Sequence, residues 1–109
     1  MLKIIGTEIH LTKGDSAYLN VGISNTVGYP YKIKAGDELV MTVRSNLDNS
    51  LIFQKRIPAD SALMIEPKDT MNAIAGRYKY DIELNTEAGE VFTIIPKSTF
   101  FIEEEVTHE

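Results

Sequence analysis

No cysteine occurs among the 109 residues. That excludes a disulfide framework, a thiolate metal site and a thiol nucleophile. It also suits assembly in a reducing compartment. Histidine is scarce too, with His10 and His108 the only two. A metal centre or a Ser–His pair needs an imidazole beside further ligands or a base; His10 lies at a strand edge among polar neighbours and His108 in the tail, so surface solvation is expected for both. Positive charge is in short supply: 11 Lys and Arg face 16 Asp and Glu, for a net charge of −5. Without a basic stripe, neither nucleic acid nor an anionic membrane surface is an expected partner. Apolar runs such as Leu39-Val40-Met41 are too short for a membrane-spanning helix. Met1-Leu2-Lys3-Ile4-Ile5-Gly6 has no long apolar core or small-residue cleavage site, so export by a signal peptide is not expected.

Glycines 6, 14, 22, 28, 36, 76 and 89 are scattered and form no phosphate-binding loop. Ser16 lies in no Gly-x-Ser-x-Gly elbow. The Asp48-Asn49 loop lacks the spaced acids of a calcium loop. Glu103, Glu104 and Glu105 are adjacent, and in a strand they alternate between faces rather than converge. The expectation is a protein that is not an enzyme, with no catalytic residue, no metal and no cofactor.

Period-two alternation dominates what is present. From Asp15 to Ile23, Ala17, Leu19, Val21 and Ile23 fall on one side and polar residues on the other. Leu2 to Ile5 and Glu8 to Leu11 read as one edge strand broken near Gly6. A short strand is expected at Tyr31 to Lys34, another at Glu38 to Ser45, then a hairpin loop over Ser45 to Ser50 and a return from Leu51 to Ile57. Pro58 ends that return. After a short strand at Ala62 to Glu66, Asp69 can cap a two-turn helix whose face is Met71, Ile74 and Ala75, stopped by Gly76. Tyr78, Tyr80, Ile82 and Leu84 then share one strand face, and Lys79, Asp81 and Glu83 the other. Glu87-Ala88-Gly89 reverses the chain into Val91 to Ile95; Pro96 interrupts; Thr99 to Val106 is the last strand.

Seven to nine short strands with turn signals about every 8–12 residues indicate an all-β, immunoglobulin-like antiparallel β-sandwich. One short helical turn lies near residues 70–75, and a closed barrel is the competing architecture. Residues 1–107 form a single domain, and 108–109 a frayed tail. In such sandwiches a tyrosine after the fifth-to-sixth strand connection bonds back to it; Tyr78 and Tyr80 are the candidates, after the connection Asp69 to Gly76.

The order of these features resembles a known family. The matching residues are Gly14-Asp15-Ser16-Ala17-Tyr18-Leu19, Gly36-Asp37 leading into Val40-Met41-Thr42-Val43-Arg44, and Asp69-Thr70. They continue with Gly76-Arg77-Tyr78-Lys79-Tyr80-Asp81-Ile82-Glu83-Leu84, Gly89-Glu90-Val91-Phe92-Thr93-Ile94, Phe100 and Glu105-Val106-Thr107. In this order they are similar to the N-terminal domain of phage upper baseplate proteins and to short relatives among phage and prophage tail genes. The resemblance implies a non-enzymatic virion building block, a tail or baseplate assembly module assembled in the bacterial host cytoplasm. Its partners would be other tail and baseplate proteins and further copies of the same chain in a homo-oligomer. Candidate contact residues are Tyr29 and Tyr31, which flank Pro30 in a loop, and Phe101, Glu103 and Glu105 on the last strand. That strand could add to a partner's sheet as an edge. The alternative is a carbohydrate- or ligand-binding sandwich module using Tyr29 and Tyr31.

Overall fold

The computed structural model describes residues 2–24 and 28–104. The chain is all-β and sandwich-like, with eight strands and one small helix among these residues. β1 (Leu2–Ile5), β2 (Glu8–Thr12), β4 (Glu38–Ser45), β5 (Leu51–Pro58), β7 (Gly76–Asn85) and β8 (Val91–Glu103) form one sheet in the order β1-β2-β8-β7-β4-β5. β3 (Ala17–Leu19) and β6 (Leu63–Ile65) form a two-stranded sheet. The helix α1 (Pro67–Met71) follows β6.

The alternation in β7 places its side chains as expected. Tyr80, Ile82 and Leu84 are buried, and so are Leu39, Met41 and Val43 opposite them on β4. Phe100 and Ile102 of β8 and Ile9 and Leu11 of β2 continue this buried surface. Ala17, Leu19, Leu63 and Ile65 belong to the same core from the small sheet. Phe100 sits between two aromatic edges, with Phe53 at 5.9 Å and Tyr80 at 6.1 Å, both at 78°. Such geometry sets the positive ring edge against the negative face.

Several local expectations are corrected. Residues 2–12 form a hairpin rather than one broken edge strand: Gly6, at φ 61°, lets β1 fold back antiparallel on β2. β2 then joins β8 in parallel, so the large sheet is mixed rather than purely antiparallel. The first alternating run is a strand only over Ala17–Leu19; Val21 and Ile23 still pack against the core from irregular backbone. Residues 31–34 form no strand. Pro96 does not divide the last strands. β8 runs through it, because Pro96 and Lys97 together oppose the single residue Asp81, and a second irregularity follows at Ile94. A bulge of this kind leaves a residue outside the ladder, which accommodates a residue without an N–H.

The helix starts earlier than expected. Glu66 is its N-cap, and Asp69 is the third helical residue of a capping box, its carboxylate accepting from the Glu66 N–H at 2.7 Å. Met71 and Ile74 are exposed, so the expected apolar helix face is not the buried one; Thr70 is the residue fully buried there. Its hydroxyl accepts the Gly14 N–H at 2.8 Å, which ties the β2–β3 turn to α1. Gly76 does not stop the helix but opens β7. Lys55 of β5 anchors α1 from below, reaching Asp69 at 2.7 Å and Glu66 at 2.9 Å. Burial opposes the lysine's charge, yet these two carboxylates hold its pKa above the ordinary 10.5.

Candidate functional site

The positions of β-strand side chains follow from register. Residues 10 of β2, 101 of β8 and 77 of β7 are directly paired and point away from the core, with Lys3 of β1 paired to His10. They form a row across the outer face of the large sheet, with Lys3 and Arg77 exposed and His10 and Phe101 half-buried. His10 stacks on Phe101 at 4.5 Å and 16° between planes, and the Arg77 guanidinium lies 5.5 Å from the centre of the Phe101 ring. Glu8 and Glu103 flank His10 at 3.0 and 3.3 Å. The Glu8 hydrogen bond, with a smaller contribution from Glu103, raises the His10 pKa above 6.5 against some desolvation. The arrangement is a short aromatic and charged stack on an otherwise open sheet.

The sequence candidates are thereby divided. Phe101 and Glu103 belong to this stack, and Glu105 lies outside the described residues. Tyr29 and Tyr31 sit at the opposite end of the sheet, near the start of β4. Tyr29 is 69% exposed, whereas Tyr31 packs against the core and donates its hydroxyl to Asp37 at 2.9 Å. Asp37 is a buried carboxylate that also accepts the Lys34 N–H at 2.9 Å and the Glu87 N–H at 3.1 Å. These backbone donors, first Lys34 and then Glu87, hold its carboxyl below the ordinary 3.8. The Gly36-Asp37 signature is therefore a clamp joining the loop before β4 to the β7–β8 turn. Tyr31, Asp37 and Glu87 also line a shallow pocket of about 350 Å³.

The last strand is not an edge. β8 is paired to β7 on one side and, over Phe100–Glu103, to β2 on the other, so the described part of the expected Thr99 to Val106 edge is already occupied. The strands at the rims of the large sheet are β1 and β5. On β1, Ile4 and Ile5 are 51% and 52% exposed. Sequence reasoning placed residues 2–11 together at an edge; only β1 lies there, because the parallel docking of β2 on β8 is a long-range choice with no local signature.

Both tyrosine candidates bond backbone carbonyls. The Tyr78 hydroxyl donates to the Ile74 carbonyl within the α1–β7 connection, as a tyrosine corner requires. The Tyr80 hydroxyl donates to the Thr7 carbonyl at the tip of the β1–β2 hairpin. Burial raises the Tyr80 pKa above 10.0.

Also unforeseen is a gathering of cations. Arg44 pairs with Lys79 across β4 and β7, and the bulge at Pro96 sets Lys97 beside Asp81. With Arg77, these side chains border two adjoining clefts at the end of the sheet where the β4–β5 hairpin turns. The signal was present as same-phase positions on three strands, but only their register brings them together. Among the described residues no group of His, Cys, Asp and Glu is arranged to hold a metal ion, and no helix is long and apolar enough to cross a membrane. Comparison with protein-family models, curated proteins and solved structures finds no match.

Proposed function

We propose that this chain is a structural assembly module of a phage or prophage tail, acting through protein–protein contacts within the virion after assembly in the bacterial host cytoplasm. The observation that carries the reading is the β1 rim. It presents an unpaired backbone row with two half-exposed isoleucines beside the Lys3–His10–Phe101–Arg77 row. An exposed strand edge bearing apolar side chains is a template for pairing with another chain. A single Lys on that short strand is light protection against such pairing. The sequence resemblance supports the same reading, and its motif residues have structural duties: Gly14 and Thr70 are bonded to each other, Asp37 clamps two loops, and Tyr78 braces its connection.

The test is co-expression with the products of adjacent genes, followed by light-scattering mass. Flanking tail or baseplate genes, and a complex that Ile4→Lys weakens, are the expected results. A metabolic neighbourhood, or no complex with any adjacent product, refutes the reading. The second reading, a carbohydrate-binding module, rests on exposed Tyr29 and on the shallow pocket beside Tyr31. It predicts saccharide binding that Tyr29→Ala abolishes.

A further inference from the structure

The end of the sheet near the β4–β5 hairpin combines two features that folding alone does not require. The first is apolar exposure. Leu47, at the hairpin tip, is 98% exposed, and Ile74, in the α1–β7 connection, is 81% exposed. They stand on the walls of an open cleft of about 1030 Å³. The second is charge. Arg77, Lys79 and Lys97 line that cleft, and Arg44, Lys79 and Lys97 line the adjoining one of about 280 Å³. Among the described residues none of these four cations makes an ion pair, although the chain as a whole is acidic at −5. Arg77 rests on Phe101, and Arg44 donates only to the Asn49 carbonyl, at 3.1 Å. Two acids share the surface. Asp48 is turned to the Ser50 N–H at 3.0 Å, and Asp81 lines the smaller cleft. A cationic excess remains.

The walls are braced before anything binds. Asn46 Nδ2 donates to the Arg77 carbonyl at 3.3 Å, linking the hairpin tip to β7. The Leu47 N–H donates to Ser45 Oγ at 3.1 Å, and Tyr78 holds the Ile74 carbonyl. A pre-formed cleft lowers the ordering cost of association.

We infer that this cleft receives an acidic segment of a partner protein, with an apolar side chain seated between Leu47 and Ile74 and its carboxylates against Arg44, Arg77, Lys79 and Lys97. Charge complementarity selects the occupant: unpaired cations flanking an apolar opening fit an amphipathic acidic peptide better than an uncharged or basic one. The inference deepens the assembly reading and rests on it, by naming one docking surface and the chemistry that it takes.

The experiment uses the 15N-labelled full chain and a synthetic six-residue peptide of glutamates with two leucines. The same peptide with glutamine for glutamate serves as the comparison, and a single-stranded oligonucleotide as a second probe. The expected result is amide shifts confined to residues 44–50, 72–79 and 97–99. Affinity should fall about tenfold or more in Lys79→Glu/Lys97→Glu and fall again as salt is raised, because exposed charge pairs are weak singly and screened. The thermal midpoint of the variant, read alongside, should stay near the parent's, since neither lysine makes an ion pair among the described residues and exposed charges contribute little singly. Equal binding of the glutamine peptide, shifts elsewhere on the chain, an unaffected double variant, or tighter binding of the oligonucleotide would each overturn the proposal. Adjacent-gene products that bind parent and double variant alike would remove this cleft while leaving assembly standing. Products that bind neither would remove the assembly reading, whatever the peptide does.

Discussion

Replacing Tyr80 separates two duties of one side chain. Its ring is buried in the core at 3% exposure and meets Phe100 edge-on at 6.1 Å. Its hydroxyl alone reaches the Thr7 carbonyl and tethers the β1–β2 hairpin to β7. Tyr80→Phe keeps the ring and deletes the tether. A net hydrogen bond is worth about 0.5–1.5 kcal/mol, and Thr7 is exposed, so water can partly replace the lost donor. At about 2.1 cal/mol/K of unfolding entropy per residue, each kcal/mol moves the midpoint of a chain this size by about 4 °C. The expected fall is therefore about 2–7 °C. Tyr80→Ala also removes the ring, at a cost of about 3–5 kcal/mol, or a fall of about 13–22 °C. Calorimetry reads both, and amide exchange reads where the loss falls. Under Tyr80→Phe, amides of β1 and β2 should exchange faster while those of β4 and the body of β7 stay protected, since local opening has its own free energy. Unchanged hairpin protection in Tyr80→Phe would refute the tether. An alanine variant no less stable than the phenylalanine one would refute the placement of the ring in the core.

Three further outcomes follow from the same structure. Asp37 has a folded pKa below 3.8, so its contribution is present above that value and lost as pH falls through the folded pKa; Asp37→Asn should lower the thermal midpoint at neutral pH and flatten the acid limb of a pH–stability profile. His10 has the opposite sign: its folded pKa lies above 6.5, so its contribution is full below 6.5 and disappears as pH rises through the folded value. The midpoint should thus fall as pH rises above 6.5, and His10→Gln should remove that slope; a flat parent profile would be the contrary result. Gly36→Ala should cost about 1–3 kcal/mol by denaturant unfolding, because residue 36 has φ 94° and an added Cβ would come within 2.9 Å of Glu87 Cγ; a variant as stable as the parent would contradict the clamp geometry.

The buried faces of β4 and β7 were legible because strand side chains alternate with a fixed period, so Leu39, Met41 and Val43 and then Tyr80, Ile82 and Leu84 announce one wet and one dry side. A tyrosine bonding back to the connection before β7 was legible too, with Tyr78 and Tyr80 as candidates; Tyr78 makes that local bond, to Ile74, and Tyr80 reaches Thr7 instead. Pro96 misled because a proline reads locally as a strand break, whereas a bulge lets β8 carry it without a missing ladder bond. Met71 and Ile74 misled because helical spacing shows which residues share a face, not whether a second layer lies over it.

Residue order by itself thus determined the all-β class, the core faces of β4 and β7, and the turns at Gly14, Gly36, Ser45–Ser50 and Gly89. Tertiary structure alone decided that β2 lies inside the sheet and covers the end of β8, because its parallel docking joins residues some ninety positions apart. It also decided that Arg44, Lys79 and Lys97, from three strands, border one end of the fold. Local periodicity sets which way a side chain points, but only long-range register sets which side chains it stands beside.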